Sequence, residues 1–99
     1  MTLLEEIYHQ LRSAGLVSCA EDFSQRYLSR NKNWYAYQRH LGGDFSVGAA
    51  IQCLRYIRAH QRDLTFRGVQ ERVLASAAVQ LHGHLFTTYG ITDVLAAKT

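Results

Sequence analysis

The chain has 99 residues, 47% hydrophobic and 19% charged, with a formal net charge of +3. That length fits one domain spanning 1–99, and the apolar share excludes a disordered chain, which needs low hydrophobicity and high net charge. The charge is uneven: residues 24–72 hold nine basic against three acidic side chains, the footprint of a partner for a polyanion or of a solvated face.

There is no proline and no alternating β-branched run bounded by turn signals, so strands are poorly supported. Helical signals recur instead. Thr2 opens T-L-L-E, a capping box closed by Glu5, and Leu3, Leu4, Ile7, Tyr8 and Leu11 follow as one apolar stripe. Gly15 is placed to end this helix. Ser18 opens a second box, S-C-A-E, with Glu21, before a short helix carrying Ala20, Phe23, Tyr27 and Leu28. Ser29-Arg30-Asn31 breaks it. Asn31 or a neighbour caps a third helix through NWYAYQRHL, which Gly42-Gly43 stops. Ser46 caps a fourth, with Val47, Ala50, Ile51, Leu54 and Ile57 facing inward. After a break at residues 61–64, Asp63 or Thr65 starts a long fifth helix. Its main stripe is Phe66, Val69, Val73, Ala77 and Leu81, and Leu74, Ala78, Leu85 and Phe86 form a second edge. Gly83 and Gly90 punctuate its end, and Thr92 caps a last turn through Val94 and Leu95. The expected fold is all-α, a compact bundle of five to six helices.

The order of residues 18–57 is short helix, tight turn, short helix, glycine-containing loop, Ser-capped helix. The segment AEDFSQRYLSRNKNWYAYQRHLGGDFSVGAAIQCLRYI resembles the Cro/C1-type (lambda-repressor-like) helix-turn-helix family. The resemblance implies that Ser24 is the small residue at the helix crossing, Ser29 the turn and Asn31 the cap of a recognition helix. Ser24 to Ser29 is one residue longer than the family's usual spacing, and the turn lacks the family's glycine. Either Ser29 takes up a strained backbone or the turn is longer.

At about 100° per residue, Tyr37 and Leu41 fall within about 60° of Trp34, a plausible core face. Lys32, Ala36 and Arg39 then lie opposite, with Tyr35 and His40 flanking. An alternative register buries Tyr35 and half-exposes Trp34, and the sequence alone leaves both open. In the first register Arg39 or Lys32 is suited to guanine, Ala36 to a thymine methyl, and Asn33 to adenine or a phosphate. The candidate DNA-binding residues are therefore Arg30, Lys32, Asn33, Tyr35, Ala36 and Arg39. Arg55, Arg58 and Arg62 share one face of the fourth helix and suit phosphates or plain solvation.

Signals for catalysis or metal binding are weak. His82-Gly83-His84 does not place both rings on one helix face, and no Cys-x-x-Cys or His-Glu-x-x-His occurs. Glu5-Glu6 and Glu21-Asp22 sit at helix starts, where the dipole favours them. Cys19 and Cys53 are too few for a disulfide scaffold and read as small buried hydrophobes. No apolar run approaches the roughly 18 residues of a membrane span, and MTLLEEIYHQL is acidic where a signal peptide is basic. The expectation is a cytoplasmic, non-enzymatic protein without cofactor or metal. It binds double-stranded DNA through residues 18–41 and forms a homodimer through 65–99. The alternative is a small helical adaptor or inhibitor that binds another protein and not DNA.

Overall fold

A computed structural model describes residues 1–63 and 65–90. The expected turn from Thr92 to Leu95 lies outside the described residues, as does the last part of the 65–99 extension. The described residues form an all-α bundle: α1 Leu3–Ser13, α2 Ala20–Asp22 running directly into a π-helical turn Phe23–Tyr27, α3 Trp34–Leu41, α4 Val47–Gln61 and α5 Val69–Tyr89. No strand occurs among them.

Local chemistry sets the ends of α1. The Thr2 hydroxyl accepts the Glu5 N–H at 3.3 Å, and the Glu5 carboxylate accepts the Thr2 N–H at 3.4 Å, the reciprocal box read from the sequence. A distant residue reinforces it: the Asp44 carboxylate, from the loop before α4, accepts the Leu4 N–H at 2.9 Å. At the other end Gly15, at φ +76°, lets the Leu16 N–H reach back to the Leu11 carbonyl at 2.9 Å. This left-handed termination satisfies carbonyls that the helix itself leaves free.

The start of α2 differs from expectation. Ser18 does not pair with Glu21. Its N–H and hydroxyl both bond the Asp22 carboxylate, at 3.0 and 3.2 Å, and Cys19 occupies the cap position. Asp22 also pairs with Arg26 at 2.9 Å. Burial works to raise the Asp22 carboxyl, but the Ser18 N–H and the Arg26 guanidinium outweigh it and hold it below its ordinary value.

The core is continuous from α1 to α5. Leu4, Ile7 and Leu11 of α1, Phe23, Tyr27 and Leu28, Leu54 and Ile57 of α4, and Leu74, Leu81 and Leu85 of α5 all belong to one buried cluster. α5 packs mainly on α4 and secondarily on α1, where the Gln10 amide donates to the Gln80 side-chain oxygen at 2.9 Å. Ser46 caps α4 as expected, accepting the Ala49 N–H at 3.2 Å. Val47, however, lies exposed, and Ala49 and Cys53 are buried instead. Cys53 is fully buried, but Cys19 is exposed and not the buried hydrophobe expected.

The long helix begins four residues after Thr65. Asp63 accepts the Thr65 N–H at 3.0 Å, which makes a local turn rather than a helix cap. Gly68, at φ +63°, then feeds α5. Val69 is consequently exposed, Phe66 and Val73 are half-buried, and the buried stripe is Leu74, Ala77, Ala78, Leu81 and Leu85. Gly83 lies inside the helix, and Gly90 alone ends it.

Candidate nucleic-acid interface

The site is built on the joint between α2 and α3. In the π-helical turn the Leu28 N–H bonds the Phe23 carbonyl at 3.2 Å, five residues back, and the Arg30 N–H bonds the Ser24 carbonyl at 2.9 Å. Ser29 turns the chain at φ +53°, and among the described residues no other non-glycine has a positive φ. That left-handed conformation costs an L-residue roughly 1–2 kcal/mol. Ser24 is completely buried where the helices cross, and its hydroxyl accepts the Tyr35 N–H at 3.0 Å. It thus satisfies a first-turn donor of α3 from another helix. Asn31 contributes an Asx turn, its side-chain oxygen accepting the Asn33 N–H at 2.9 Å.

Tyr35 decides which face of α3 points inward. Its ring is 4.5 Å from that of Tyr8 and meets Phe23 edge-on at 5.3 Å, and the residue is 1% exposed. Burial pushes its hydroxyl up to about 12. Tyr35 is therefore a core residue and not a DNA-contacting one, because the hole between α1 and α2 takes its ring. The face built on Trp34, Tyr37 and Leu41 is overturned with it. Trp34 is half-buried, while Tyr37 is 64% and Leu41 60% exposed. The alternative register is the one adopted.

The remaining candidates stay at the surface. Arg30, Lys32, Asn33, Ala36 and Arg39 are all exposed. Arg30 is held: its guanidinium lies 5.9 Å from the centroid of the Trp34 ring and donates to the Ser46 hydroxyl at 3.4 Å. A Cβ at Gly48 would come within 2.8 Å of that guanidinium, so the missing side chain makes room for it. Arg30, Lys32 and Arg39 form no ion pair among the described residues, whereas Arg26 is paired with Asp22. His40, expected beside the exposed face, is exposed, but the sequence reasoning missed Tyr37 and Leu41 as surface groups. Their only signal was the helical angle relative to Tyr35.

Arg55 and Arg58 of α4 and Arg62 just beyond its end do not behave as one solvated row. Arg62 is exposed, but Arg58 is half-buried, with its Nε enclosed and without a hydrogen-bond partner. It lines a groove of about 430 Å³ between α4 and α5 with Ala75, Ala78, Val79 and His82. His82 and His84 are both half-buried. No group of three or more His, Cys, Asp or Glu gathers into a metal site among the described residues. No helix among them is long and apolar enough to cross a membrane.

Residues 4–89 match the model of a family described as a family of unknown function, DUF6626. No curated protein and no solved structure matches the chain.

Proposed function

The chain belongs to the DUF6626 family, whose function is unknown, and from that premise we propose that it binds double-stranded DNA through α3 and its flanks as a small, non-enzymatic, cytoplasmic transcriptional regulator. The observation that carries this reading is the joint itself. A buried small residue, Ser24, sits where two short helices cross, a left-handed residue makes the turn, and exposed basic side chains border the second helix. The π-helical turn supports the likeness to a Cro/C1-type helix-turn-helix. A π turn accommodates one extra residue within a helix, which is the excess in the Ser24-to-Ser29 spacing.

In this reading Ala36 lies toward base edges, Arg39 reaches them from the rim of α3 one turn after the buried Tyr35, Lys32 and Asn33 lie at the entrance of α3, and Arg30 meets a phosphate. Tyr37 and His40 join the surface in place of Tyr35. Titration of a labelled random-duplex pool with the purified protein at several salt concentrations tests it. Phosphate neutralisation makes log affinity fall linearly with log salt, and sequences recovered from the pool should converge. Absence of any salt-dependent binding overturns the proposal.

A second reading rests on Tyr37 and Leu41, an exposed aromatic and aliphatic pair one helical turn apart. Such a pair suits a protein partner, and the chain would then act as an adaptor without DNA affinity.

A further inference from the structure

We propose that the outer face of α5 is the contact surface for a second copy of this chain, packed antiparallel. This inference stands apart from the DNA-binding reading.

α5 is apolar on two sides. Its inner stripe is satisfied by α4 and α1, but Val79 is 73%, Phe86 54% and Tyr89 44% exposed. At about 100° per residue these three share one outward face with Ala75 and Gly83. A helix that is apolar on more than one side calls for more than one neighbour.

Gly83 supplies a second, independent observation. Glycine inside a helix is unfavourable relative to alanine. Among the described residues no atom beyond its own helical turns lies within 4 Å of where its Cβ would stand, so no described neighbour requires the missing side chain. In the proposed contact, close approach of the partner copy's backbone does.

The large and small residues of this face are arranged to complement themselves. Two antiparallel copies related by a two-fold axis at the height of Gln80 and Leu81 set Phe86 level with Ala75 of the partner copy, and Val79 within about one residue's rise of the partner copy's Gly83. The groove beside Ala75, between α4 and α5, then receives the partner copy's Phe86 ring. The ends are complementary in charge. Arg72, exposed near the start of α5, falls beside the C-terminal end of the partner helix, where the helix dipole favours a cation and the Tyr89 ring offers a π face. A two-fold contact of this kind uses the same patch on both copies.

The seam from Arg72 to Tyr89 is about 26 Å long. A seam of one helix from each copy places the contact at the lower edge of specific interfaces, about 1,200 Å² in total. The expected dimer therefore depends on concentration in the micromolar range.

Light scattering of the full chain tests this. The mass should rise from near 11.3 kDa toward twice that between about 1 and 100 µM, a range appropriate to an interface this size. Gly83→Leu finds open space within one chain, so its circular dichroism should stay helical while the dimer weakens at least tenfold. Phe86→Ala should weaken it similarly. A mass that stays near 11.3 kDa at every concentration overturns the proposal. So does a folded Gly83→Leu or Phe86→Ala variant that dimerises as well as the parent.

Discussion

The hydroxyl of Ser24 accepts the backbone N–H of Tyr35 at 3.0 Å across the joint between α2 and α3. One buried oxygen thereby holds the first turn of α3 against the preceding helix. Ser24→Ala leaves that N–H without its partner in a closed site. The expected loss is about 1–3 kcal/mol, the desolvation cost of an unsatisfied buried donor. Urea unfolding should show a lower midpoint with an unchanged m-value.

Ser29 makes the opposite prediction. Its left-handed backbone, φ +53°, is strained for any residue with a Cβ. Ser29→Gly removes that strain but adds freedom to the unfolded chain. The balance favours the variant by about 0.5–1 kcal/mol, read as a rise in Tm of a few degrees.

His60 gives the fold a dependence on pH. Its ring lies 4.4 Å from that of Tyr56, 4.8 Å from Phe66 and 5.7 Å from Tyr27. Burial, with the charge of Arg26 adding to it and Asp63 opposing it, holds its pKa below 6.5. The unfolded chain therefore binds a proton more readily than the folded one. The contribution is complete above pH 6.5 and is lost as pH falls through the lowered folded value. Tm should drop on acidification from neutral pH, and His60→Phe should flatten the slope in that window.

Arg39 is the exposed side chain of α3 best suited to a base edge. If it reads guanine, Arg39→Ala costs about 1–3 kcal/mol of specific binding and relaxes preference at one position. Lys32→Ala should instead weaken all duplexes alike and reduce the salt slope. Selection from a random pool with each variant separates the two effects, and unchanged affinity and preference for Arg39→Ala removes it from the readout.

Most helix ends were legible in the sequence because they are local. Thr2 with Glu5, Gly15, Ser46 and Gly42 each act on residues within a turn or two. The face of α3 was not. Counting angles from Trp34 gives no means of knowing that Tyr8 and Phe23, contributed by two other helices, leave a hole for the ring of Tyr35. The start of α5 was misplaced for a similar reason. Asp63 caps a turn as readily as a helix, and the positive φ of Gly68 sets where the helix begins. Of the candidate site, the exposed cations were legible from charge alone, while the groove lined by Arg58 needed the angle at which α5 packs back on α4.

The two thiols sit in contrasting surroundings, and the contrast makes the protein its own clock. Cys19 is open to solvent, while Cys53 is sealed inside α4, where burial pushes its thiol up and keeps it protonated. An alkylating reagent needs the thiolate, so it should mark Cys19 at once and reach Cys53 only when the bundle opens. Mass spectrometry over a labelling course would then show one fast and one slow addition. The slow rate would report how often α4 is exposed, without any change to the sequence.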